Sequence, residues 1–539
     1  MIRQPILAAA LTAWVFACVV ERPLALPLQA RDPHGPVMFQ TSDSCLACHN
    51  NLTTPAGEDV SIGVAWRASM MANSARDPYW QASVRREALD HPLKVQAIED
   101  GCATCHMPMS RAAARASGRA GDVFRLLPSA RDASPEHRLA ADGVSCALCH
   151  QIGPDRLGTR ESFVGGFVVT PGAPQMFGPF DVDAGRTAIM RSATGATPIA
   201  GEHVRRSELC ATCHTLYTEA LGPTGEVVGS LPEQVPFLEW RHSAYREERS
   251  CQSCHMPAVE STPMASVLGE PRERLGRHTF LGGNFLMLRM LNRHRAELGV
   301  AALPQELEAA AQATLRQLQL ETATVSIASA RAAGGVLELH VQVRNLTGHK
   351  LPTGYPARRV WLHVTVRDQS RVLFESGATT AAGAIVGNDN DADPLRFEPH
   401  YAEIRRPDQV QIYESIMGDP SGAVTTGLLR ATQYLKDNRL LPRGFRKQLA
   451  PADIAVVGGA AADPDFQADG DSIRYVIDVR GTSPPFDVSV DVRFQPIGFR
   501  WVENLRSYAA PEPRRFVSFF DAMATASSAV LSSNATVVR

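Results

Sequence analysis

Apolar positions follow two rhythms along this chain, and the change between them falls near residue 320. From Pro304 to about Leu320 they recur at helical spacing, with Leu307, Ala311, Leu315 and Leu318 on one face, which predicts a helix that docks on a core. Beyond it the period is two. In "VLELHVQV" the apolar set is Leu337, Leu339, Val341 and Val343; in "VWLHVTV" it is Val360, Leu362, Val364 and Val366; "IRYVIDV" and "DVSVDVRF" repeat the alternation. Half-buried strands read this way, so residues 321–505 predict an antiparallel β-sandwich of immunoglobulin-like size. Upstream, residues 31–300 show no long regular period. Helical stretches such as "VAWRASMMANSARDPYWQASVRREALD" alternate with Gly- and Pro-rich loops such as "VGGFVVTPGAPQMFGPFD". The fold class is therefore α + β and multidomain: a mainly helical, loop-rich domain, a connecting helix at 301–320, the sandwich, and a C-terminal helix and tail at 506–539.

The first 30 residues change the picture of where the protein works. Arg3 precedes a continuous apolar run, Ile6 to Val20, and small residues follow, which is the pattern of a secretory signal peptide. Cleavage falls either after Ala30 or before Cys18, where lipid would anchor the chain; that is the single route to a membrane, since no later apolar run reaches about 18 residues. The expected location is the periplasm or another extracytoplasmic surface. A formal net charge of −2 over 539 residues excludes nucleic acid as a partner on charge grounds. The basic residues are uneven, with Lys94, Lys350, Lys436 and Lys447 the only lysines among 54, and some of the arginines are expected to pair with buried acids.

Ten of the 11 cysteines fall in five strings of one form. These are "CLACH" (Cys45, Cys48, His49), "CATCH" (Cys102, Cys105, His106), "CALCH" (Cys146, Cys149, His150), "CATCH" (Cys210, Cys213, His214) and "CQSCH" (Cys251, Cys254, His255). A disulfide framework has no use for a histidine at a fixed position. Zinc takes cysteine pairs two at a time and fits an odd number of pairs badly. A thioredoxin-like pair would come once, beside a βαβ pattern that is missing here. Covalent haem c accounts for every feature: two thiols add across the vinyl groups, and the adjacent imidazole becomes the proximal iron ligand. Five haems are thus expected, sharing so little polypeptide that they form much of the core and lie close together.

Each iron has a sixth position. His137, His203 and His242 precede an attachment motif at short range and are candidates for it, with a surface or propionate-binding role as the alternative. His278 lies in "GRHTFLGGN", where paired glycines permit close backbone approach to a flat ring. His349 lies in the stiff loop "NLTGHKLPTGYP" between two predicted strands, from which the β domain would reach back to a haem. His91, His294, Met70 and Met71 stand in reserve. "GNDNDADP" has alternating Asp389, Asp391 and Asp393 but lacks the Gly and Glu of an EF-hand, so it reads as an acidic surface loop.

The five C-x-x-C-H motifs, "CHMP" after the second and fifth, "RDPYW" and "GHKLPTGYPARR" together resemble the exported multihaem cytochromes c. That group is related in haem arrangement to pentahaem nitrite reductases, octahaem hydroxylamine oxidoreductases and nitrifier tetrahaem cytochromes. The resemblance implies electron transfer through closely packed, mostly bis-His haems. One departure matters: such nitrite reductases carry a C-x-x-C-K motif at the catalytic haem, and all five motifs here end in His. The favoured function is an electron carrier between redox partner proteins, including a membrane-bound complex to which the β domain docks. The alternative is an oxidoreductase acting on a small nitrogen or sulfur species at one open haem.

Overall fold

The computed structural model describes residues 38–128, 134–170, 172, 174–369, 371–468 and 470–539, together with Met1. The expected signal peptide and Cys18 lie outside the described residues. Among the described residues no helix is long and apolar enough to cross a membrane.

The long N-terminal helical stretch breaks in the middle. Ile62–Arg67 forms one short helix, and the chain restarts only at helix α1 (Pro78–Asp90). Asp77 sets that start: its carboxylate accepts the backbone N–H groups of Tyr79 (2.8 Å) and Trp80 (3.1 Å), and Pro78 occupies the first turn, where no N–H is needed. Helix α2 (Val95–His106) carries the second motif in its last turn. The other motifs sit on single turns: Asp43–Leu46, Cys146–Cys149, Ser207–Ala211 and Cys251–His255. On a helical turn residues i and i+3 share a side, so both thiols of a pair face the same way.

Helix α3 (Phe285–Arg293) buries Phe285, Leu286, Met287, Leu288, Met290 and Leu291. Helix α4 (Pro304–Glu321) follows the expected period: Leu307, Ala311 and Leu318 are buried and Leu315 is partly so. Its N-terminal Glu306 binds Leu303 N–H at 2.9 Å and pairs with Arg67, which ties the helix to the first motif's neighbourhood.

The alternating segments form strands β1 (Ala323–Ala333), β2 (Val336–Asn345), β3 (Arg359–Asp368), β4 (Arg371–Ser376), β5 (Asp471–Asp478), β6 (Phe486–Gln495) and β7 (Ala529–Val538). Gly334 and Gly335, both at positive φ, make the two-residue turn between β1 and β2. One sheet runs Glu403–Ile404, β5, β2, β1, with Glu403–Ile404 added in parallel; the other runs β4, β3, β6, β7, with Ile412–Tyr413 also on β3. The predicted inward sets of β2 and β3 are all 0 % exposed and share one core with Ile473, Tyr475, Val488 and Val490. The chain therefore has several antiparallel sheets, two of which meet face to face on a common apolar layer.

Two details differ from the sequence reading. Residues 506–539 form helix α5 (Pro511–Asp521) and then β7, which pairs with β6 along nearly its full length and is no loose tail. Its alternation is masked by small and polar residues in "AVLSSNATVV". Asp391 of the acidic loop is buried, held bidentately by Arg359 at 2.7 and 2.9 Å, so that loop is partly interior. Helix α5 packs on α1 through Arg85–Glu512 (2.9 Å) and Tyr79–Phe516 (ring centres 5.0 Å), and residues Met38–Arg539 form one compact unit.

Candidate haem-binding cavity

A continuous cavity of about 2000 Å³, partly open to solvent, is lined by all ten motif cysteines and all five motif histidines. That is at least twice the ~300–1,000 Å³ of a site for one small molecule. Thiols of different motifs are neighbours across it: Cys45 and Cys146, Cys105 and Cys213, and Cys210 and Cys251 each act on one another's ionisation. Cys149 acts electrostatically on Cys210. In space the motifs run first, third, fourth, fifth, with the second branching from the fourth.

None of the ten is in a disulfide. Burial pushes the thiols of Cys102 and Cys149 up to about 12, so they are neutral at pH 7. Cys45, Cys213 and Cys251 are instead held below the ordinary thiol value, each chiefly by the thiol beside it.

The histidines sort by which ring nitrogen is engaged. Nδ1 of His49 faces Met264 O (2.6 Å), of His106 Ser74 O (3.0 Å), of His150 Phe177 O (2.6 Å), and of His255 Leu281 O. A carbonyl only accepts, so Nδ1 carries the proton and Nε2 presents a lone pair to the cavity, the tautomer a metal ligand needs. His278 and His349 follow the same rule, donating from Nδ1 to Gly276 O (3.0 Å) and Lys350 O (2.9 Å). Burial pushes the pKa of His106, His214 and His349 down to about 4 and that of His278 to about 3. All are therefore neutral and ligand-competent at neutral pH.

Two pairs face one another. His150 and His278 have near-parallel rings (22°) with centres 6.2 Å apart; His255 and His349 lie at 14° and 6.3 Å. An iron bonded at about 2 Å to one nitrogen of each ring, with that nitrogen about 1 Å from its ring centre, needs centres about 6 Å apart. Both pairs match that spacing.

The other three distal candidates stand elsewhere. His203 is buried with Nε2 on Ile152 O (2.9 Å), and His242 has Nε2 on Arg446 O (3.3 Å) beside Phe445. His137 is half-buried, with Nδ1 on Ser134 Oγ and Nε2 on Arg125 O, both 2.8 Å. None lines the cavity. Short sequence distance to a motif brought them near it without aiming Nε2 inward. Among the described residues seven histidines line the cavity, and the two facing pairs do not include His49, His106 or His214; Met70 and Met71 also line it.

Several groups had no sequence signal. Trp80 stacks on the His106 ring at 4.4 Å and 4°, fixing its orientation. Arg358 lines the cavity near the fourth and fifth motifs. Under the His349 loop lies a buried network: Lys350 Nζ on Asp437 (2.7 Å), Arg439 on Asp437 (2.9 and 2.8 Å) and on Glu239 (2.9 Å), and Thr353 Oγ1 on Glu239 (2.6 Å). Lys350, beside His349 in the quoted loop, was the only hint.

Outside the cavity, His400, Asp463 and Asp471 cluster in the β region. Nδ1 of His400 accepts from Gln411 (2.9 Å) and Asn438 (3.2 Å), so Nε2 carries the proton and donates to Asp463 (3.1 Å). This is a hydrogen-bond network in which His400 has no lone pair left for a metal.

No family model matches the sequence, and no curated protein matches it. Among solved structures the chain is similar to a penta-heme cytochrome c552 from Thermochromatium tepidum, with a TM-score of 0.50 and 16 % identity over 93 % of this chain and 100 % of that one. At that identity the likeness concerns fold: this chain folds like a multihaem cytochrome c.

Proposed function

We propose that the protein is a pentahaem c-type cytochrome that relays electrons between redox partners outside the cytoplasm. The observation that carries this reading is that thiols of different motifs are neighbours in one cavity, because groups attached at those sulfurs must themselves lie close together. Bound haem supplies the one-electron iron couple. The chain supplies the rest. Ten thiols attach the rings, backbone carbonyls fix the imidazoles of His49, His106, His150 and His255 with Nε2 inward, and His278 and His349 cap the third and fifth irons. The two sheets, read as the immunoglobulin-like sandwich, hold the His349 loop, and their outer surface is the place for a partner, including a membrane-bound one.

A second reading is favoured by one observation: histidine faces only two motif histidines among the described residues. An iron left open on one side would take a small nitrogen or sulfur species, and the protein would then be an oxidoreductase. Pyridine haemochrome counting with intact mass tests the first step, and five haems per chain are expected. EPR and magnetic circular dichroism of the ferric protein then separate the two readings. Only low-spin signals support the carrier; a stable high-spin component that shifts on adding nitrite, hydroxylamine or sulfite supports the enzyme.

A further inference from the structure

The other deeply buried arginines of this protein have partners of opposite charge or caps to serve. Arg359 holds Asp391, Arg439 holds Asp437 and Glu239, and Arg86 lies 3.8 Å from Asp90. Arg76 binds three backbone carbonyls away from the cavity. Arg358 differs. Its guanidinium donates to two neutral acceptors, Thr353 O at 2.7 Å and Asn284 Oδ1 at 3.1 Å, and its remaining surface opens onto the cavity. No carboxylate among the described residues lies within the 4.0 Å of an ion pair. The nearest acid that acts on it, Asp77, spends its carboxylate capping α1.

A guanidinium in an apolar interior without an anion is costly, on the order of several kcal/mol, and such groups persist where an anion is supplied. The field of Arg358 reaches His214, His255 and His349, so it sits between the fourth and fifth motifs. Haem brings two propionate carboxylates per ring into this cavity, and a planar fork of N–H donors suits a carboxylate. We propose that Arg358 is the seat of a haem propionate at the junction of the fourth and fifth haems and sets the reduction potential there. The inference rests on the pentahaem reading. A cation beside the haem disfavours the more positive ferric state, so its removal favours oxidation; a propionate that loses its cation also binds a proton more readily.

The test uses full-length holoprotein and potentiometric titration of each haem followed by magnetic circular dichroism, after haem counting. R358Q should shift the equilibrium of one or two haems at least tenfold toward ferric at pH 7, about 59 mV for a one-electron couple. It should also make that potential depend on pH between about 5 and 8. The charge-conserving R358K should stay within about threefold of wild type, and if R358Q fails to load haem, R358K must restore loading. Five haems with unchanged potentials in R358Q overturn this inference alone, as does R358K behaving like R358Q. A wild-type response to sulfate or nitrite that saturates and is lost in R358Q also overturns it, since the anion would then be a dissociable one. A wild-type chain that carries no haem overturns the cytochrome reading itself.

Discussion

Replacing Asp437 by Asn removes the carboxylate that two buried cations share beneath the His349 loop. Lys350 is 0 % exposed and holds Asp437 at 2.7 Å; Arg439 holds both its oxygens at 2.9 and 2.8 Å. Burial alone would raise the Asp437 pKa, but Arg439 and then Lys350 outweigh it and hold it at about 2, below the ordinary 3.8. Nearly two units at ~1.4 kcal/mol each give about 2.5 kcal/mol of stability from the charge. Leaving a buried cation without its partner costs about 3–5 kcal/mol. D437N should therefore lose about 2.5–5 kcal/mol at pH 7. Because the folded pKa is depressed, that contribution is whole above pH ~4 and fades as pH falls from about 4 to about 2. K350M should lose less, about 1.5–3 kcal/mol, since Asp437 keeps its two bonds from Arg439. Urea unfolding of the holoprotein by far-ultraviolet circular dichroism measures both, and the high-spin fraction in EPR reports whether the His349 loop has loosened. A loss below about 1 kcal/mol in D437N, or a larger loss in K350M than in D437N, would refute this account of the network.

Two further outcomes follow from the site and the β region. H278A and H349A should each convert one haem in five from low to high spin in the ferric EPR spectrum, while H203A and H242A, whose Nε2 atoms are held by backbone carbonyls, should convert none. In the β region, burial raises the Asp471 pKa from 3.8 to about 7, so the folded state favours the neutral acid and loses stability as pH rises from about 4 to about 7. About three units at ~1.4 kcal/mol bound that loss at ~4 kcal/mol. D471N should remove this slope, so the urea midpoints of wild type and variant should diverge between pH 5 and pH 8; parallel curves would disprove it.

What the sequence made legible was whatever a side chain encodes locally. The i, i+3 thiols and adjacent imidazole of each motif, the period-two faces of β2 and β3, and the helical face of α4 all depend on near neighbours, and each was found where expected. His349 was legible because Gly348, Pro352 and Gly354 around it signalled a displayed loop. His137, His203 and His242 do not line the cavity, and sequence distance to a motif says nothing about where Nε2 points. The groups that orient the ligands are mostly backbone carbonyls, of Ser74, Phe177, Met264 and Leu281, and a carbonyl leaves no mark in a sequence. Met264 reaches His49 from 215 residues away. Arg358 was quoted only as part of a string; its lack of an anion exists only in three dimensions.

The placement of His349 also explains why a β region should belong to a protein whose attachment motifs all lie before residue 260. A ligand to iron must be held against the entropy of its own loop, and a stretch of 13 residues between two strands is expensive to order unless something fixes it. Here β2 and β3 pin its ends in the two sheets. Asn345, the last residue of β2, donates to His349 O at 2.7 Å and to Leu440 O at 2.9 Å, and Thr347 Oγ1 donates to the same His349 carbonyl at 2.8 Å. Lys350 then drops its charge into the Asp437, Arg439 and Glu239 network, so the residue beside the ligand cannot move without stranding a buried ion. Glu239 belongs to the short helix Pro236–Arg241, just ahead of the fifth motif, and it accepts the Lys350 backbone N–H at 3.1 Å. Loop and motif are thereby fastened to one another from behind. The parallel rings of His255 and His349, 6.3 Å apart, are what that fastening maintains, and in the proposed relay a ligand held in place would keep its iron in one spin state through each electron passed.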